Sequence, residues 1–192
     1  EKDEAIESVL QIASNSTERI QRLISSLLDV SRLETGQAIA TQKGVSPKRL
    51  VQDALETITT SILTRRQKIV QNIEENLPNI WADEDMIRRV LINILENASK
   101  FTPTEGQISI GVKRDGDFVQ LWIGDNGMGI PPEEHERVFE KFARTKSGAK
   151  VSGLGIGLAF CRLAVNGHGG KIWIDKNYTN GTRFNINLPI EK

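Results

Sequence analysis

Residues 86–103, MIRRVLINILENASKFTP, constrain this chain more than any other stretch. At about 3.6 residues per helical turn, Ile87, Val90, Leu91, Ile94, Leu95 and Ala98 form one apolar stripe, which makes the segment a helix lying against a core. Asn93, Asn97 and Lys100, spaced four and three apart, share the other face with Glu96. Asparagine is a mediocre helix former, so two of them with a lysine in one polar row point to a face used for more than packing. The bland alternative is that these amides only hydrogen-bond neighbouring elements.

The chain has 192 residues, 38% of them hydrophobic, enough for one sizeable core plus an appendage or for two small domains. Its 25 basic and 25 acidic residues give formal net charge +0, so charge supplies no global argument for a nucleic-acid partner. The single Cys161 excludes an internal disulfide, and its place beside Phe160 in a helical pattern reads as a buried structural thiol. No run of about 20 apolar residues and no signal peptide occurs, so these residues are expected to be soluble. The chain begins with Glu1 and enters a helical pattern almost at once, as a piece of something longer would.

In chain order, apolar residues at helical spacing run from 4 to 34, including Ile20, Leu23, Ile24, Leu27, Leu28, Val30 and Leu33. Such a helix is too long for one small domain to bury, which suggests a bundle or dimer helix, with a terminal helix lying along the domain as the alternative. Gly36 is expected to stop it. A short edge strand at 37–45 should follow, then a helix over 48–65 capped by Ser46 with Pro47 in its first turn. Strands are expected at 67–73, 79–81, 107–113 and 118–123, with Asp115-Gly116 as a hairpin turn. Asp83 should cap the central helix. A short helix from Pro131, a loop and another helix precede two strands, 171–175 and 182–188, which Asn180-Gly181 should join as a second hairpin. This order implies α/β architecture, a two-layer sandwich of a mixed sheet with helices on one face.

Two glycine runs flank the second half. Gly124-Asp125-Asn126-Gly127-Met128-Gly129 follows a strand directly; Gly127 and Gly129 would let backbone approach a ligand, and Asp125 could accept hydrogen bonds from a base amino group. The same residues would also serve as an ordinary turn. Ser152-Gly153-Leu154-Gly155-Ile156-Gly157-Leu158 opens a helix, where free N–H groups and the glycines Gly153, Gly155 and Gly157 suit a phosphate. It lacks the preceding strand of a dinucleotide fingerprint and the Gly-Lys-Ser/Thr ending of a P-loop, so a nucleotide would bind in another geometry. Between the runs, residues 143–152 carry Arg144, Lys146 and Lys150, which suits a closing lid over phosphates or, more plainly, a solvated loop. Val138, Phe139 and Phe142 are expected to anchor its near end in the core. His135 and His168 neighbour no nucleophile or ligand cluster and read as structural or exposed.

These features resemble the catalytic, ATP-binding part of sensor histidine kinases, within the superfamily shared by gyrase, Hsp90 and mismatch-repair ATPases. Asn93-Ile94-Leu95-Glu96-Asn97-Ala98-Ser99-Lys100-Phe101 resembles the asparagine box, Asp125-Asn126-Gly127-Met128-Gly129 the first glycine box, Phe139-Glu140-Lys141-Phe142 the phenylalanine box and Gly153-Leu154-Gly155-Ile156-Gly157-Leu158 the second glycine box. Gly181-Thr182 with Phe184 is similar to the terminal Gly-Thr segment. Leu27-Leu28-Asp29-Val30-Ser31-Arg32-Leu33-Glu34-Thr35-Gly36 resembles the end of the second helix of the dimerisation and histidine-phosphotransfer hairpin.

The resemblance implies that residues 1–36 are that second helix and 37–192 the catalytic domain. It implies ATP and magnesium as cofactors, Asn97 as the magnesium ligand with Asn93 in support, Lys100 and Arg144 at the phosphates, and Asp125 at adenine. Gly127, Gly129, Lys146, Gly153, Gly155, Gly157 and Thr182 complete the implied nucleotide site. ATP-hydrolysing relatives carry a water-activating glutamate where this chain has Asn93, so the resemblance favours phosphoryl transfer to a histidine over hydrolysis. An ATP-hydrolysing clamp, with Glu96 as base, and a nucleotide-free scaffold are the alternatives. Implied partners are the parent's own dimerisation helices and a response regulator receiver domain, in a cytoplasmic portion whose membrane attachment, where there is one, lies in upstream segments; no nucleic acid is implied. The helix bearing the phosphorylated histidine is expected upstream of Glu1, so this chain should bind ATP without phosphorylating itself.

Overall fold

The computed structural model describes residues 10, 17, 20–21, 24, 27–35, 39, 41–143 and 155–191. Residues 27–34 form helix α1, and Leu10, Thr17, Ile20, Gln21 and Ile24 upstream are helical too. Gly36, Arg144, Lys146, Lys150 and Gly153 lie outside the described residues.

Strand β1, Lys43–Val45, pairs antiparallel with β3, Ile80–Ala82, in a two-stranded sheet of its own. The helix expected from 48 is α2, Pro47–Thr64: Ser46 Oγ accepts from Arg49 N and Pro47 stands in the first turn, where its missing N–H leaves no bond unmade. Its Leu50, Val51, Ala54, Ile58 and Ile62 are buried at helical spacing. The central helix is α3, Glu84–Phe101, capped by Asp83, whose Oδ1 accepts from Met86 N at 3.0 Å. Its whole expected apolar stripe is buried, with Ile87, Val90, Leu91, Ile94 and Leu95 completely inaccessible.

The main sheet has the order β2-β4-β5-β7-β6, with β2 Lys68–Ile73, β4 Gln107–Asp115, β5 Phe118–Asp125, β6 Lys171–Ile174 and β7 Arg183–Pro189. Only β2 and β4 run parallel; the remaining pairs are antiparallel, so the sheet is mixed. Along each strand alternate residues are buried: Ile108, Ile110 and Val112, then Val119, Leu121 and Ile123, then Phe184, Ile186 and Leu188. These meet the inner stripes of α2, α3 and α4, Gly157–Gly167, in one core. The expected two-layer α/β sandwich is therefore present. On the sheet's other face the register aligns Gly111, Trp122, Asn185 and Trp173 in one transverse row. No helix among the described residues is long and apolar enough to cross a membrane.

Four local expectations need correction. The edge strand expected over 37–45 is confined to Lys43–Val45, with Thr41 already in a turn. The turn between β4 and β5 is Gly116-Asp117, because Asp115 already pairs with Phe118; Gly116 takes φ +61° there. Asn180-Gly181 does not form a tight hairpin: the last β6–β7 pair is Ile174 with Phe184, and residues 175–182 make a longer connection that returns to the end of β5, where Asp125 N donates to Thr182 O. Phe142 is 62% exposed at φ +63°, so it does not anchor in the core; Val138 and Phe139 do.

The end of α1 docks on the domain. Val30 is buried in the core, Leu33 packs against it, Asp29 pairs with Arg89 of α3, and Glu34 meets Lys141 at 2.7 Å. Leu10, Ile20, Ile24, Leu27 and Leu28 stay exposed, so among the described residues of the stripe the domain covers Val30 and, in part, Leu33.

Candidate nucleotide site

The site lies where α3 ends, β5 ends and α4 begins. Strand β5 delivers Asp125 to a position 4% exposed, where its Oδ1 accepts from Gly127 N at 2.8 Å and from Thr182 N at 3.3 Å. Asp125 N in turn donates to Thr182 O at 2.8 Å. Burial pushes the Asp125 carboxyl above its ordinary value, opposed by the two backbone N–H groups that favour the ionised form. One oxygen is thus fixed by the protein, and the carboxylate can accept from a donor such as an adenine amino group with its other.

Two glycines make this approach possible. A Cβ on Gly127 would stand 2.5 Å from Phe101 O, the last residue of α3, and one on Gly181 would run into Asp125 O. Main chain therefore meets main chain around the carboxylate, and Gly129 follows at φ +74° beside Gly181 O. Asn126, not among the expected site residues, stitches the loop to β4: its Oδ1 accepts from Gln107 N at 2.8 Å and its N donates to Gln107 O at 3.2 Å. Its position inside Asp-Asn-Gly was the available signal, since Asn side chains commonly mimic a turn's backbone.

On α3, Asn93, Asn97 and Lys100 are half-buried and Glu96 is exposed. The Lys100 ammonium sits 5.3 Å from the centre of the Phe101 ring. Asn93 faces α4: its Oδ1 lies 3.3 Å from the place of a Cβ on Gly157. Burial drives the Cys161 thiol far above its ordinary range, with the charge of Arg89 and a hydrogen bond to Asn93 opposing. Cys161 is accordingly the inert core thiol its setting suggested. Among the described residues no side chain caps the start of α4, and the first N–H groups of a helix are the ones that suit an anion. Gly155, at φ +69°, would bring a Cβ within 2.5 Å of Ala143 O, and Gly155 O accepts from Phe142 N at 2.9 Å. The phenylalanine segment is thus tied to the second glycine run through main chain.

The histidines are structural, as expected. Asp83 N donates to His168 Nε2 at 3.0 Å, which puts the proton on Nδ1, 2.7 Å from Ala164 O. His135 is buried with Nε2 2.9 Å from Ile130 O.

Residues 82–192 match the family model described as histidine kinase-, DNA gyrase B-, and HSP90-like ATPase. The chain belongs to this family. Within it, the sensor histidine kinase branch is the one the relatives and structures identify. The chain is 36% identical over 98% of its length to the adaptive-response sensory kinase SasA of Trichormus variabilis, covering 47% of that protein. It is 35% identical over 89% of its length to SasA of a Synechocystis species, covering 45% of it. The chain thus spans about half the length of the curated relatives it matches. Among solved structures, full-length ShkA in complex with AMPPNP superposes with TM-score 0.78 at 26% identity, over 93% of this chain and 37% of that one. The catalytic domain of histidine kinase ThkA gives TM-score 0.71 at 27% identity, over 79% of this chain and 97% of that domain. This chain therefore contains a sensor histidine kinase ATP-binding domain.

Proposed function

We propose that this domain, in its parent protein, transfers the γ-phosphoryl group of ATP to a histidine on the parent's dimerisation helices, for relay to a response regulator receiver domain. The observation that carries the reading is Asp125, a buried carboxylate with one oxygen held by Gly127 and Thr182 beside a backbone surface stripped of Cβ atoms. That arrangement suits an adenine amino group, and AMPPNP in the ShkA complex is an adenine nucleotide.

In this reading residues 1–36 are the second helix of the dimerisation and phosphotransfer hairpin and 37–192 the catalytic domain. Its stripe, exposed at Ile20, Ile24, Leu27 and Leu28, would be covered by the partner helices. Lys100 and Arg144 would meet the phosphates, with Lys146, Gly153, Gly155 and Gly157 around them. Gly127, Gly129 and Thr182 would shape the adenine pocket.

The donor set also fits magnesium. Among the described residues no group of three or more His, Cys, Asp or Glu could hold a metal by itself. Asn97 offers one amide oxygen, which suits an ion that takes most of its ligands from nucleotide phosphates and water. Bound there, magnesium would neutralise charge on the phosphates. Asn93 would support Asn97 from the α3–α4 contact. Transfer is favoured over hydrolysis because Asn93, which faces Gly157 of α4, is a poor base, while Glu96 is exposed.

Calorimetric titration with ATP, with and without magnesium, tests the proposal. Saturable, magnesium-sensitive binding with ATP recovered unhydrolysed is expected; rapid turnover would restore the ATPase alternative, and absence of binding would leave the scaffold one.

A further inference from the structure

Helix α3 ends at a proline, and that leaves a specific defect. In a continuing helix Ser99 O would accept from the N–H of residue 103, but Pro103 has none. Thr102, before the proline, turns to an extended conformation at ψ 133°, and its own carbonyl leaves the helix. Both carbonyls belong to buried residues.

Gln67, between α2 and β2 and outside every recognised box, repairs both. The residue is 7% exposed; its Nε2 donates to Ser99 O at 2.8 Å and to Thr102 O at 3.0 Å, with Pro103 O at 3.4 Å beside them. The amide cannot flip, because Ser99 O and Thr102 O only accept and would repel Oε1; Ser99 Oγ completes the set by donating to Oε1 at 2.8 Å. Main chain anchors Gln67 on either side: its N donates to Ile62 O at 3.0 Å, and Lys68 N donates to Gly106 O at 2.8 Å. The turn of α3 held in this way carries Asn97 and Lys100.

We infer that Gln67 is a positioning residue for the nucleotide site: its side-chain amide supplies the hydrogen bonds that Pro103 cannot, and so holds the end of α3 that presents Asn97 and Lys100 to the phosphates. The inference rests on the ATP-binding reading and deepens it. Asp125 takes its hydrogen bonds from Gly127 and Thr182, neither of them on α3, and the adenine half touches the helix end only where Gly127 packs on Phe101 O; loss of Gln67 therefore acts mainly on the phosphate half of the site.

The test measures Kd for magnesium-ATP and for adenosine in the wild type, Gln67→Met and Gln67→Glu, at a temperature where each is folded. Magnesium-ATP is expected to weaken about tenfold in both variants while adenosine weakens by much less. Adding Pro103→Ala to Gln67→Met supplies a backbone N–H to Ser99 O and should recover part of the loss. Should the variants fail to fold, the wild type still decides: the Gln67 side-chain amide resonance should shift with magnesium-ATP and stay put with adenosine. Equal weakening for both ligands, no weakening, or an amide resonance indifferent to magnesium-ATP overturns the positioning role. A wild type that binds no ATP overturns the nucleotide reading itself, and this inference with it.

Discussion

The carboxylate of Asp125 accepts a hydrogen bond from the backbone N–H of Thr182, 57 residues further along the chain, at 3.3 Å. Strands β5 and β7 are neighbours, so the ends of both close on the same point, and the same residue pair exchanges a second bond from Asp125 N to Thr182 O. A charge is held in a buried place by one donor from its own turn, Gly127, and one that only sheet pairing brings to it.

Asp125→Asn keeps an oxygen for both backbone donors and removes the buried charge. Because burial raises the Asp125 pKa, the ionised form at neutral pH weakens the fold relative to acid: the stabilising difference is present below 3.8 and is lost as pH rises through the folded value. The melting temperature of Asp125→Asn should therefore equal or exceed that of the wild type at pH 7. ATP affinity should fall by about 1–3 kcal/mol, because an amide N–H would face the adenine donor. Calorimetry and thermal melts on the same samples check both.

Two glycines at positive φ separate strain from collision. Gly116→Ala has open space at φ +61° and should cost about 1 kcal/mol with ATP affinity unchanged. Gly181→Ala, at φ +135°, drives a Cβ into Asp125 O and should cost about 2 kcal/mol or more and weaken ATP as well. Urea denaturation paired with ATP titration distinguishes them.

His168 links stability to pH. Burial lowers its pKa below 6.5, and its Nε2 accepts from Asp83 N, a bond that requires the unprotonated nitrogen. Stability is thus full above 6.5 and declines as pH falls through 6.5 toward the lowered folded value, since the unfolded chain binds the proton first. Urea midpoints between pH 5 and 8 should show this slope, and His168→Gln should flatten it.

Asn97→Ala should remove the gain in ATP affinity that magnesium provides and leave metal-free ATP binding near the wild-type level. A half-buried side chain on the polar face of α3 can be truncated at about 1 kcal/mol or less in stability. Titrations with magnesium and with chelator in parallel read the difference directly.

Local chemistry made much of this legible without a structure. The caps Ser46 and Asp83, the stripe of α3 and the alternation of β4, β5 and β7 act over a few residues, and the observed elements follow them to within two residues at most ends. Where a local signal met a longer-range demand it yielded. Asn180-Gly181 has the composition of a hairpin turn, yet it lies in a longer connection in which Gly181 presses against Asp125. Phe142 looks like a core anchor, but its backbone is the part in use, tied to Gly155 O.

By itself, then, the order of residues determined which segments are helix or strand, which faces are apolar and which polar residues share a helix face, because those depend on neighbours three or four positions away. Tertiary structure decided what those polar residues meet. Asp125 acquires its second donor, Thr182, Asn93 its contact with α4 and Ser99 O its substitute for the proton Pro103 lacks only when distant segments close together. Buried polar groups must find partners wherever packing places them, and the identity of the partner is a property of the folded chain.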